Sequence, residues 1–143
     1  MRRLQIVIDT NVLLSALRSN HGASFLLLTL IGQSNLFEIN ISVPLVLEYE
    51  DVAKRPALVP NLSEQDIDDI LDYICSVALR HIIFFLWRPF LKDPKDDMVL
   101  ELAVEARCDY IVTFNLKDFA GCEQFGITAI TPQDFLRQIG MIS

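Results

Sequence analysis

The chain has little of what most enzyme chemistries require. It carries two histidines and three cysteines. Cys75, Cys108 and Cys122 form an odd set with no CxxC pair, which excludes a disulfide framework and a zinc knuckle and suits a reducing cytoplasm. Each cysteine reads as a small core filler. His21 lies in a polar loop and His81 opens an apolar stretch; both read as surface or packing residues. There is no P-loop, no GxGxxG and no GxSxG, so nucleoside-triphosphate, dinucleotide and serine-hydrolase readings lack support. Apolar residues come in short bursts such as Ile82-Ile83-Phe84-Phe85-Leu86-Trp87, too brief to cross a bilayer. Arg2 and Arg3 open the chain, and Asp9 arrives too soon for a signal-peptide core. A soluble, cytoplasmic protein is expected.

Basic charge is also scarce. Twelve Lys and Arg stand against 19 Asp and Glu, a net charge of −7. An acidic surface repels phosphates, which weakens the case for simple electrostatic binding of nucleic acid. The location of the excess matters more than its sum. Glu64, Asp66, Asp68, Asp69 and Asp72 fall in one segment that reads as a solvated helix face. A second group of acids would be neutralised if it held divalent cations, so metal-dependent cleavage of nucleic acid is not excluded.

What the sequence does have is alternation. With 143 residues, 52% of them hydrophobic, it fits one domain with a well-filled core. No repeat, low-complexity stretch or Gly/Ser linker divides residues 1–143. Strands are expected at residues 4–8, 36–41, 82–87, 110–113 and 127–130. Helices are expected at 12–17, 23–31, 43–55, 63–79, 96–107 and 132–139, with Ser42 and Pro44 as start signals for the third. The pattern predicts an α/β fold: three layers, α/β/α, around a central parallel sheet of about five strands. In such sheets the site lies at the carboxyl ends of the strands.

Polar residues at those ends are therefore the candidates. Asp9 follows Ile6-Val7-Ile8 and precedes Thr10-Asn11; each of the three is also a good helix N-cap. Glu48 shares a helical stripe with Leu45, Tyr49 and Val52, where a buried carboxylate needs a compensating partner or an edge position open to water. Asp93, Asp96 and Asp97 put three acids in five residues, more than capping needs. Asp97, Glu101 and Glu105 then form an acidic seam on a mostly apolar helix, with Glu105 expected in water. Thr113, Asn115 and Asp118 follow the next strand, where they also suit turn and helix caps. Clustered carboxylates without histidine or thiolate are hard oxygen donors that suit Mg2+ or Mn2+. Such ions serve in-line displacement at phosphate. Arg2, Arg3, Lys92, Lys95 and Lys117 are candidates for a basic rim contacting RNA.

These residues resemble the PIN-domain family, and in particular its small single-domain toxin-like (VapC-type) members. The resemblance rests on Ile8-Asp9-Thr10-Asn11, on Ser42 through Glu48, on Asp93 through Ala103, and on Tyr110 through Phe119, in family order over nearly the whole chain. It implies a five-stranded parallel sheet and a Mg2+- or Mn2+-dependent endoribonuclease. It also implies a frequent small antitoxin partner and often a homodimer. Carried over, Asp9 and Asp97 are the principal metal ligands, and Glu48 is a further ligand or a group orienting the water. Asn115 stands where many members have Asp, leaving Asp118 as an alternative fourth ligand. The choice of Asp97 over Asp96 rests on its spacing to Thr113. Two rival readings are an Asp9-based phosphotransferase or phosphatase, and a catalytically silent binding module. The first normally has a second acid two residues on, where this chain has Asn11.

Overall fold

In the computed structural model, which describes residues 2–83 and 90–143, strands and helices alternate from the start. Strand β1 (Leu4–Ile8) leads into α1 (Thr10–Arg18) and α2 (Gly22–Leu30). Strand β2 (Phe37–Ile41) is followed by α3 (Val43–Ala53) and α4 (Glu64–Val77). Then come β3 (Leu79–Arg80), α5 (Pro94–Glu105), β4 (Tyr110–Val112), β5 (Thr128–Ile130) and α6 (Pro132–Gln138). Two 3-10 turns, Leu116–Phe119 and Cys122–Phe125, link β4 to β5.

The five strands form one parallel sheet in the order β3-β2-β1-β4-β5. Consecutive residues Ile6, Val7 and Ile8 are all buried, so both faces of the sheet centre are covered, as a parallel sheet requires. The fold is the α/β class expected. Its strand order matters for function. The chain winds outward from β1 to β3, then returns to place β4 on the other side of β1. The topological switch point is therefore the crevice between β1 and β4, where α/β sheets gather ligands. Asp9 and Thr113 are the first residues beyond those two strands.

Local signals act as the sequence suggests. Ser42 caps α3 through the Leu45 N–H, and Ser63 and Asp66 close a capping box on α4. The acids Glu64, Asp66, Asp69 and Asp72 of α4 face solvent, while Asp68 pairs with Lys54 of the preceding helix end at 2.6 Å. Lys54 bridges Asp68 and Glu50.

Two expectations need correction. Among the described residues the third strand is Leu79–Arg80, ahead of the expected 82–87, of which residues 84–87 lie outside the described residues. Helix α4 ends at Val77 and Ala78 turns extended, so the chain enters the sheet at once. β3 is an edge strand with Leu79 and Arg80 exposed, and it needs no apolar burst to mark it. Helix α5 starts two residues earlier than expected, because Asp93 caps it and Pro94 occupies the first turn. The turn Cys122–Phe125 was not foreseen; Gly121 and Gly126 bracket it in left-handed conformations.

The scarce residues are structural where described. His81 Nε2 lies 2.7 Å from Asn40 Oδ1, and Asn40 also donates to Gln5 and to the Ile6 carbonyl. That network ties the β3 edge to β2 and β1. Burial pushes the Cys108 thiol up to about 12, and buried Cys122 donates to the Ile127 carbonyl, so neither is a ready nucleophile.

Candidate metal centre

Asp9 ends β1 and caps α1. Its Oδ1 accepts the Thr10 N–H at 2.9 Å, and its Oδ2 accepts the Thr113 hydroxyl at 2.8 Å. Thr113, fully buried at the end of β4, accepts the Asn115 N–H at 3.0 Å through the same oxygen. The carboxylate orientation is thereby set by two strand ends together. Asp9 is only 8% exposed. Burial raises its pKa above the ordinary carboxylate value, and the charges of Asp118 and Glu48 push the same way against its two hydrogen bonds.

Glu48 reaches this place because of Tyr49. The Tyr49 hydroxyl, buried among core residues, donates to the carbonyl of Ile8, the last residue of β1. Burial and the nearby Asp9 raise the phenol pKa further, so it stays a donor. The bond clamps α3 onto the strand end beside Asp9. Glu48, with 17% of its side chain exposed, then pairs with Lys95 Nζ at 3.4 Å. The stripe Leu45, Tyr49 and Ala53 is buried, with Glu48 at its edge.

The first turn of α5 separates two neighbours. Asp96 is half-buried, and its pKa is pushed up to about 7 by burial and by Asp9, Asp93, Asp118 and Asp97. It therefore faces the same acidic centre as Asp9. Asp97, favoured by its spacing to Thr113, is only 1% exposed. Its Oδ1 accepts the backbone N–H groups of Phe90 and Leu91 at 3.2 and 2.8 Å, tying down the approach to α5. Its Oδ2 has no hydrogen-bond partner among the described residues. Asp93 is an exposed cap that accepts the Lys95 N–H. Glu101 is buried one turn beyond Asp97, and Glu105 is exposed.

Asn115 is exposed, with its N–H on Thr113. Asp118, on the following 3-10 turn, is the acid from this segment that acts on Asp9 and Asp96. Asn11 Oδ1 receives the Phe114 N–H at a long 3.5 Å, linking α1 to the β4 exit. Lys92 and Lys117 are exposed. The basic rim is smaller than expected, because Arg2 and Arg3 lie at the opposite, amino end of the strands. Arg2 pairs with Asp109, just before β4, at 2.8 Å, and Arg3 pairs with Glu38 of β2.

Asp9 feels the charges of Asp118 and Glu48, and Asp96 feels those of Asp9 and Asp118. Yet among the described residues no three His, Cys, Asp or Glu side chains form a closed cation cage. The donors are all hard oxygens, and their mutual repulsion is what a divalent cation would relieve. The residue set fits Mg2+ or Mn2+ better than a thiophilic ion.

Carboxylates from the β1 end, α3, α5 and the 3-10 turn after β4 thus lie near the switch point of a parallel α/β sheet, an acidic arrangement of hard oxygen donors. The family model described as PIN domain matches residues 5–117, well over half of the chain. The chain belongs to the PIN-domain family. PIN domains are usually nucleases and generally use divalent metals. Comparison with curated proteins gave no match. No helix among the described residues is long and apolar enough to cross a membrane.

Tyr49 shows what sequence reasoning leaves out, and Thr113, already a strand-end candidate, shows what it leaves unspecified. Thr113 read as a turn cap and Tyr49 as core; each orients the acids by a hydrogen bond between distant segments. Their only sequence signal is position, directly after a strand and directly after an acid.

Proposed function

We propose that this protein is a Mg2+- or Mn2+-dependent endoribonuclease, with Asp9 and Asp96 as its principal metal ligands. The observation that carries this reading is the meeting of Asp9 and Asp96 at the switch point of a PIN-domain sheet, where the charge of Asp9 acts on Asp96. Two carboxylates held together against their own repulsion favour a cation between them. Glu48 and Asp118 add acidic oxygens, and Asn115 offers an amide oxygen at the position where many relatives have Asp. Asp97 serves instead as the anchor of the loop before α5.

A bound divalent ion supplies Lewis-acid charge and an activated water for in-line attack on a phosphodiester. The protein's own residues orient and hold. The Thr113 hydroxyl and Thr10 N–H fix both oxygens of Asp9. Tyr49 holds α3, and with it Glu48, against the β1 end. Lys95, now paired with Glu48, and exposed Lys92 and Lys117 are the cations available to RNA phosphates. Asn11, two residues after Asp9, leaves a phosphotransferase without its second acid.

A toxin-like role with a small antitoxin, or a homodimer, requires a protein-binding face. Support comes from the groove of about 550 Å3 beside β3, rimmed by exposed Val43, Leu47 and Ile82. Light scattering of the purified protein, alone and after co-expression with the product of the adjacent reading frame, checks both assemblies. The function itself is tested by cleavage of a mixed RNA pool. Mn2+ should support cleavage and EDTA abolish it, and Asp9→Asn should be inactive while folded. A wild-type protein that cleaves no RNA would favour the silent binding module, and a folded Asp9→Asn variant that cleaves as wild type would overturn the role given to Asp9.

A further inference from the structure

On the other side of the β4 exit from the acids lies a second cavity, of about 540 Å3. That volume suits a small organic group. Its walls come from α1, the α1–α2 loop, α2, the β4 exit and α6. Phe114, 48% exposed, stands at its mouth one residue beyond Thr113, the residue bonded to Asp9. Ser15 lies one helical turn beyond Asn11 on α1, and His21 and Gln133 complete a polar wall. None of the lining residues is an Asp, Glu, Lys or Arg.

One feature points to a ligand: chemical contrast. The cavity adjoins a centre built of carboxylates but holds no acid itself, so a phosphate-bearing chain meets less repulsion here. An exposed aromatic face with amide, imidazole and hydroxyl groups behind it matches a nucleobase, which stacks on its face and hydrogen-bonds at its edge.

We propose that this pocket takes one unpaired base of the RNA substrate, stacked on Phe114 and read by Gln133 and His21. A duplex cannot offer a splayed base to such a pocket. This rests on the nuclease reading given above. Phe114 and Gln133 act here in binding and selection; the acids carry the chemistry.

The test uses the full chain with Mn2+ and a short single-stranded oligoribonucleotide of mixed sequence, with cut sites mapped. Phe114→Ala should raise KM roughly tenfold, the loss of one base–aromatic stack, and Phe114→Trp should restore it. Gln133→Ala should change the base preferred next to the cut, and the same sequence in a duplex should be cut at least tenfold more slowly. If wild type cleaves but folded Phe114→Ala keeps its KM and cut pattern, the pocket is not a base site and the nuclease reading stands. A folded Phe114→Trp variant as impaired as Phe114→Ala also overturns it. If wild type cleaves no RNA, the nuclease reading falls and this inference with it.

Discussion

The two ends of the sheet treat acidic residues in opposite ways. At the amino end, Asp109 is held by Arg2 and by the Gln5 N–H, and Glu38 by Arg3 and Gln5. At the carboxyl end, Asp9, Asp96 and Asp118 face one another, and burial together with mutual charge raises the pKa values of the first two. The amino end is what a fold does with acids when stability alone is at stake. The carboxyl end keeps a repulsion that folding by itself does not need, and the proposed metal site rests on that contrast. The same contrast recurs within two residues of α5, where backbone donors hold one oxygen of Asp97 while Asp96 feels the charges of Asp9, Asp93, Asp118 and Asp97.

Several changes would break or sharpen that contrast. The largest effect belongs to the carboxyl end. Asp9→Asn and Asp96→Asn should each cut RNA cleavage by about a thousandfold, matching the several kcal/mol of charge stabilisation a metal supplies. Single-turnover rates in Mn2+ measure it. Next comes Asp97→Ala, which strands two buried backbone donors and should cost about 2–5 kcal/mol in denaturant unfolding. Asp97→Asn keeps an acceptor and should cost less.

A pH effect follows from the direction of the shifts. Asp96 has a folded-state pKa of about 7 against an ordinary 3.8, so the folded state holds its proton more tightly than the unfolded chain does. Its contribution to stability is fully present below about pH 4 and falls as pH rises toward about 7. Asp9 shifts in the same direction. Thermal melts of metal-free protein should show this slope, and excess Mg2+ should flatten it, since the cation binds only the deprotonated acids. The smallest effect belongs to the amino end. Arg2, with 68% of its side chain exposed, forms a surface pair, so Arg2→Ala should cost at most about 1 kcal/mol and leave cleavage intact.

Much of the fold could be read from the chain because each strand and helix announces itself locally. The buried run Leu4–Ile8 and the capping signals at Ser42 and Ser63 are local facts. β3 escaped because an edge strand two residues long has no buried faces to impose a pattern. The site was legible as a set of strand-end acids but not as a geometry. Asp96 and Asp97 differ only in which way a helical turn presents them, a rotation of about 100° set by the packing of α5. Arg2 and Arg3 misled because nearness to Asp9 in sequence places them at the far end of the strand. Phe114, His21, Ser24 and Gln133 meet only through tertiary structure.

The most direct measurement is a calorimetric titration of Mn2+ into wild type, Asp96→Asn and Asp97→Asn near pH 6.5, repeated in buffers of different ionisation enthalpy. Wild type should bind with release of protons, Asp96→Asn should bind at least tenfold more weakly without the Asp96 share of that release, and folded Asp97→Asn should bind like wild type. Binding that survives Asp96→Asn but is lost in a folded Asp97→Asn variant would place the cation on the other aspartate and contradict the assignment.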